Sequence, residues 1–134
     1  MVGLSCKLPM TLDSNDGIAL NKNFKELIRQ NFKNLLLTIP GERIMNPDFG
    51  VGIKQYLFEL DSQSVRSRMS ANIQLQAKKY LSYIEINEIS FISSQENISV
   101  GNNTLGLTIN YSIIPLEEND KITILNNENK LIIV

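Results

Sequence analysis

The sequence predicts an α+β fold, a single domain in which three helices pack on one side of a small, mainly antiparallel β-sheet. Two observations predict it. Apolar residues recur with a helical period in the first part of the chain and with a period of two in the second. Because the helices precede the strands and do not alternate with them, βαβ crossovers are not expected. The length of 134 residues suits one domain with one core.

The first 19 residues are predicted to form an extended arm or a small hairpin. Two β-prone runs, residues 8–12 and 18–20, flank residues 13–17, which favour a turn. The arm is the preferred prediction, because short hairpins at chain ends have little stability of their own.

The first helix is predicted to begin after Asn23 and to end before Pro40 and Gly41, which break helices. Asn23 is a candidate N-cap, with Glu26 in the capping-box position. One stripe of this helix is apolar and is expected to face the core: Phe24, Leu27, Ile28, Phe32, Leu35, Leu36 and Ile39.

A basic row lines another face of the same helix, with Lys25, Arg29 and Lys33 spaced by four. The simpler interpretation is a solvated helix face. The alternative is a docking stripe for an acidic partner.

A short second helix is predicted to place Ile53, Tyr56, Leu57 and Leu60 on one face, with Phe58 pointing away from it. A longer third helix is predicted over residues 64–81. Its candidate caps are Asp61, Ser62 and Ser64. Its core face is expected to consist of Val65, Met69, Ile73, Ala77, Tyr80 and Leu81.

Strands are predicted beyond this helix. Residues 105–113 alternate apolar and polar, which indicates one buried face. In residues 84–92 the alternation changes parity, so a bulge is expected near Asn87 and Glu88. A polar hairpin loop is predicted over 94–103. The C-terminal region, residues 120–134, contains two β-prone runs, and the last is apolar on both faces. As a free edge it would favour aggregation, so the domain or a partner is expected to cover it.

Composition argues against several classes of function. Thirteen basic residues balance fourteen acidic ones, so no nucleic-acid partner is expected, and no run is long and apolar enough to span a membrane. The chain has no histidine and one cysteine, Cys6, which excludes His-based triads and thiolate-rich zinc sites. No phosphate-binding loop is present. We therefore expect no cofactor, no metal and no small-molecule substrate.

Four carboxylates, Glu42, Asp48, Glu59 and Asp61, are close enough in sequence to be considered as a glycosidase pair. The chain has no tryptophan, and nothing in the sequence indicates an aromatic-lined sugar cleft. The chain is expected not to be an enzyme.

The adjacent residues Glu42 and Arg43 carry opposite charges, yet neighbouring side chains do not face each other on a helix or a strand. Each therefore needs water, a distant residue or another chain. Solvation in a loop and burial at an interface both fit the sequence.

Three motifs in order resemble one family: residues 36–43 (LLTIPGER), 46–50 (NPDFG) and 57–59 (LFE). They closely resemble the baseplate wedge protein family of contractile-tailed phages. That family includes the corresponding component of type VI secretion and related contractile injection systems, and older usage calls it lysozyme-like. The resemblance spans roughly residues 20–114.

The resemblance implies a structural subunit of a baseplate, assembled in the bacterial cytoplasm, which joins the wedge to the first sheath ring and initiates sheath assembly. The implied partners are the helix bundle of the larger wedge proteins and the tail sheath protein, with tail tube or hub proteins as further candidates. Glu42 and Arg43 would contact the wedge bundle, and Pro47, Phe49 and Gly50 would shape the adjoining turn. The remaining candidate partner contacts are Phe58, Leu131 and Ile133. The alternatives are a peptidoglycan-cleaving glycosidase and an adapter of an unrelated assembly.

Overall fold

Three helices precede the main sheet in the computed structural model, which describes residues 2–56, 59–92, 106–127 and 130–133. Helix α1 spans Phe24–Leu37, α2 spans Ile53–Tyr56 and α3 spans Gln63–Tyr80. Each lies where the apolar period predicted a helix. Within the described ranges, no helix is both long enough and apolar enough to cross a membrane.

The helix ends agree with the sequence in part. Ser62 is the N-cap of α3, and its hydroxyl accepts a hydrogen bond from the Val65 amide at 3.3 Å. Asn23 is the N-cap residue of α1, but its side chain makes no capping hydrogen bond. The predicted capping box between Asn23 and Glu26 is therefore wrong.

Two apolar residues that were predicted to be buried are exposed. Phe24 is 60% exposed, because it is the first residue of α1 and the buried stripe begins one turn later at Ile28. Leu60 is 91% exposed, since it follows the described end of α2 in irregular backbone and does not share the helical face of Ile53. Leu57 and Phe58 lie outside the described residues.

The main sheet has four antiparallel strands in the order β5-β6-β7-β8. Their bounds are Ile84–Ile92, Gly106–Ile113, Glu118–Asn127 and Lys130–Ile133. The pairing of β5 with β6 shifts register between Ile86 and Glu88, which confirms the predicted bulge. A 3-10 turn, Ile114–Leu116, joins β6 to β7. The predicted loop over 94–103 lies outside the described residues.

The core lies between the helices and one face of this sheet, as the predicted α+β class requires. The ring of Phe32 on α1 meets the ring of Tyr111 on β6 edge to face, with centroids 4.9 Å apart. The alternating residues of β6 are buried as expected. The fully buried side chains that fill the core are Phe32, Leu35, Leu36, Ile53, Met69, Ile73, Ile109, Tyr111, Ile113, Ile122 and Ile124, with Val51.

The N-terminal segment folds back on itself, which is the hairpin form rather than the preferred extended arm. Strand β1 (Ser5–Cys6) pairs with β4 (Leu20–Asn21), and β2 (Leu12–Asp13) pairs with β3 (Gly17–Ile18). The Gln30 amide of α1 holds this hairpin, because it accepts from the Leu8 amide at 3.0 Å and donates to the Cys6 carbonyl at 2.9 Å. Contacts with α1 supply the stability that an isolated hairpin lacks.

Two residues of the basic row of α1 form ion pairs with β7, so the row is not simply a solvated face. Lys25 pairs with Glu118 at 3.1 Å, and Arg29 pairs with Asp120 at 3.1 Å. Sequence period alone could not identify these acidic partners, because they lie about ninety positions away along the chain.

Candidate functional site

The loop that connects α1 to α2 contains the predicted Glu-Arg pair; we call residues 38–52 the Glu-Arg loop. Three backbone hydrogen bonds within it form two reversals of the chain. The Gly41 amide donates to the Pro47 carbonyl at 2.7 Å, and the Glu42 amide donates to Ile39 at 3.0 Å. The third runs from the Phe49 amide to the Asn46 carbonyl at 3.2 Å. The loop is therefore folded by its own backbone.

The end of the loop is anchored on α1. The Val51 amide donates to the Leu35 carbonyl at 3.0 Å, and the Gly52 amide donates to the Thr38 carbonyl at 2.9 Å. Gly50 has a φ of 114°, and a Cβ at this position would lie 2.8 Å from the Thr38 carbonyl carbon. Only glycine allows the backbone to approach α1 so closely.

Gln76 of α3 anchors the same part of the loop from the other side. Its side-chain oxygen accepts from the Gly50 amide at 3.2 Å, and its side-chain nitrogen donates to the Asp48 carbonyl at 3.0 Å. The Gln76 side chain is buried, and its bond to the Gly50 amide is shielded from water. Gln76 was not among the predicted site residues, although a glutamine beside Ile73 and Ala77 on a predicted core face was an available signal.

Three side chains, two from the loop and one from α3, stack on one another. The guanidinium carbon of Arg43 lies 3.9 Å from the centroid of the Phe49 ring, which is a close cation–π contact. Phe49 in turn meets the Tyr80 ring edge to face at 4.9 Å. The Tyr80 hydroxyl donates to the Asn46 side-chain oxygen at 3.2 Å, which ties the stack back to the loop. Arg43 is thus oriented although it is exposed.

Glu42 takes a local partner. Its carboxylate accepts from the Ile39 amide at 3.1 Å, one turn back along the loop. No ion pair joins it to Arg43 in the described part of the chain, as expected for adjacent side chains. The carboxylate therefore stabilises the fold of the loop.

The loop also exposes two large apolar side chains that sequence analysis did not single out. Ile44 is 94% exposed and Met45 is 96% exposed. We call residues 43–45 the tip. Adjacent aliphatic residues inside a turn-rich segment were the available signal, because exposed apolar clusters mark interaction sites.

The other predicted partner residues divide between the loop and the sheet. Pro47 is exposed, and its carbonyl closes the Gly41 turn, so it belongs to the loop with Phe49 and Gly50. Ile133 on β8 is partly buried against the core, and the Leu131 side chain lies outside the described residues. Phe58 is also outside them. The structure thus gathers five of the predicted residues in one loop and places β8 in the sheet.

Two of the four carboxylates considered for glycoside cleavage, Asp61 and Glu59, form ion pairs with arginines. Asp61 accepts two hydrogen bonds from Arg66, and these lower the pKa of its carboxyl. A catalytic acid requires the opposite shift. Glu59 pairs with Arg68 at 2.5 Å. Among the residues that the structure describes, no cluster of acidic and cysteine side chains could hold a metal ion.

Comparison with known families gives one match. The family model described as baseplate wedge protein gp25 matches residues 22–115, which include α1, the Glu-Arg loop, α3 and β6. No curated protein matches the chain.

Solved structures show the same fold at low sequence identity. A protein of the anti-feeding prophage baseplate is 19% identical, with a TM-score of 0.67, covering 81% of this chain and 83% of that one. A Geobacter sulfurreducens protein provisionally described as a tail lysozyme is 18% identical, with a TM-score of 0.64 and coverages of 81% and 94%. A chain of the pyocin R2 baseplate after contraction is 16% identical, with a TM-score of 0.58 and coverages of 78% and 97%.

Proposed function

Because this chain belongs to the baseplate wedge protein gp25 family, we propose that it is a structural subunit in the baseplate of a contractile tail or injection machine. The chain joins the helix bundle of the larger wedge proteins to the first ring of the sheath, and it has no enzymatic role. Two of the similar structures come from baseplates of such machines, which supports the baseplate as its location.

The observation that carries this proposal is a fixed loop with an exposed apolar tip. Hydrogen bonds from α1 and α3 hold the Glu-Arg loop, while Ile44 and Met45 are left almost fully in solvent. A preorganised loop loses little conformational entropy on binding. Exposed aliphatic side chains beside an oriented arginine are typical of a surface that a protein partner covers. We propose that this partner is the wedge helix bundle.

The C-terminal edge of the sheet is the second proposed contact. Strand β8 pairs with β7 on one side and is the last strand in the described sheet order. The opposite edge, β5, carries a bulge and the exposed acids Glu85 and Glu88, which protect an edge from strand addition. We therefore assign β8, with Leu131 and Ile133, to the sheath protein.

Replacement of Arg43 tests the wedge contact. Arg43→Ala removes the stacked cation and leaves the backbone anchors intact, so the chain is expected to fold normally but not to co-purify with the two larger wedge proteins of its machine. Lys54→Ala, which removes an exposed cation from α2, is the matched control and should co-purify. Normal recovery of the complex by Arg43→Ala would contradict the proposal.

A deletion tests the sheath contact. Removal of residues 131–134 is expected to leave incorporation into the baseplate intact and to impair polymerisation of sheath on assembled baseplates, because the receiving edge is lost. Electron micrographs give both readouts. Sheaths of normal length on baseplates that contain the deleted chain would remove β8 from the mechanism.

The enzymatic alternative deserves one direct assay, given the provisional lysozyme description of a similar structure. The purified chain is expected not to solubilise peptidoglycan. Hydrolysis that is lost in Glu42→Gln or Glu59→Gln would establish the alternative.

A further inference from the structure

Two of the three residues in the basic row of α1 form ion pairs with the start of β7, and the third, Lys33, forms none in the described part of the chain. Lys25 meets Glu118, and one helical turn later Arg29 meets Asp120. The next residue on that face of β7 is Ile122, which is fully buried in the core. The strand therefore supplies no carboxylate for Lys33, the third member of the row.

Lys33 is consequently a cation without an acidic partner in the described part of the chain. It is partly buried, and this burial lowers the pKa of its ammonium group; nearby Arg29 lowers it further. Asp120 acts in the opposite direction but forms its ion pair with Arg29. Burial disfavours the charged form of an ammonium group, so a carboxylate partner would stabilise Lys33 in its charged form.

Arg29 has unused donors next to this position. Both of its hydrogen bonds to Asp120, at 3.1 and 3.2 Å, leave from the same nitrogen, Nη1. The Tyr111 hydroxyl donates to the same carboxylate at 2.9 Å and helps to fix it. Among the described residues, Nε and Nη2 of Arg29 donate no hydrogen bond. A guanidinium that is bound at Nη1 can bind a second carboxylate along its free edge, formed by Nε and Nη2.

We propose that Lys33 and the free edge of Arg29 form a docking point for a carboxylate side chain of a neighbouring baseplate protein. Residues four apart on a helix are neighbours on its surface, so one acidic side chain can reach both cations. Charge complementarity identifies the partner as an acidic segment. The inference rests on the proposed function, because it takes the neighbour to be a subunit of the same baseplate.

The variants Lys33→Met and Lys33→Glu of the full-length chain test this docking point. For each variant, two quantities are measured: the unfolding midpoint and the affinity for the purified baseplate subcomplex of its own machine. Lys33→Met removes an unpaired cation, so its unfolding midpoint is expected to stay equal or rise while affinity falls about tenfold. Lys33→Glu places a negative charge against the partner's carboxylate, and this repulsion is expected to reduce affinity by about a hundredfold. Lys7→Glu, the same charge change in the N-terminal hairpin, should bind within about twofold of the wild type.

Three results would overturn the inference. Wild-type affinity of both Lys33 variants is the first. The second is a lower unfolding midpoint in Lys33→Met, which would make Lys33 a structural residue. The third is stabilisation of the free chain by inorganic phosphate that depends on Lys33, which would indicate a small-anion site. Loss of binding in Arg43→Ala together with normal binding in both Lys33 variants would contradict this inference alone. Normal binding in Arg43→Ala would contradict the proposed function.

Discussion

At the scale of single residues, the Glu-Arg loop depends on positions where the side chain is small or buried. Gly50 lets the backbone pass close to the Thr38 carbonyl. Gln76 forms hydrogen bonds with the Gly50 amide and the Asp48 carbonyl, on either side of Phe49. A Cβ at position 50 would meet Thr38, and buried amide groups without partners are costly, so substitution of either residue is expected to destabilise the loop. The loop conformation is thus determined by residues that need not touch a partner.

Two glycines in this loop provide a matched test of that statement. Gly50→Ala is expected to destabilise the chain by about 2–4 kcal/mol, because its positive φ and its contact with Thr38 both resist a Cβ. Gly41 also has a positive φ but faces open space, so Gly41→Ala should destabilise by only about 1 kcal/mol. Urea unfolding measures both. Equal destabilisation would contradict the close approach of the loop to α1.

At the scale of elements, α1 connects the parts of the molecule. Gln30 holds the N-terminal hairpin, Arg29 holds β7 through Asp120, and Leu35 receives the end of the Glu-Arg loop. Phe32 lies at the centre of the core between these contacts. A substitution on α1 can therefore alter its contacts with the hairpin, the sheet or the loop, depending on the face it lies on.

The two ion pairs between α1 and β7 should differ in strength. Asp120 accepts from Arg29 and Tyr111 and is largely shielded, so Asp120→Asn is expected to lower the free energy of unfolding by about 1.5–3 kcal/mol. Glu118 and Lys25 are about half exposed, so Glu118→Gln should lower it by at most about 1 kcal/mol. Urea unfolding of both variants is the measurement. A larger effect of Glu118→Gln would contradict the assigned burial.

At the scale of the whole molecule, local pattern predicted the elements but not their contacts. Periodicity predicted the three helices, the strands of the main sheet and the bulge near Asn87, because each depends on neighbours in sequence. It could not give the Gln76 contacts or the Arg29–Asp120 pair, which join residues 26 to 91 positions apart. Periodicity also could not identify Ile44 and Met45 as exposed, because their exposure depends on how the whole loop folds.

The division of labour between loop and sheet is the central claim at this scale. The tip projects from the helical layer into solvent, whereas β8 lies at the edge of the sheet. We propose that one chain holds a wedge bundle with its loop and receives a sheath strand at its edge. Neither contact requires a catalytic group, so both are compatible with a sequence that contains no histidine.

The affinity of a tip variant for the purified complex of the two larger wedge proteins tests this claim most directly. The double variant Ile44→Asp, Met45→Asp changes two side chains that contribute nothing to the core, so its stability should equal that of the wild type. Leu60→Asp, at an equally exposed apolar position outside the loop, is the control. We predict a loss of affinity of roughly a hundredfold or more for the double variant and less than about threefold for the control. Wild-type affinity of the double variant would contradict the account.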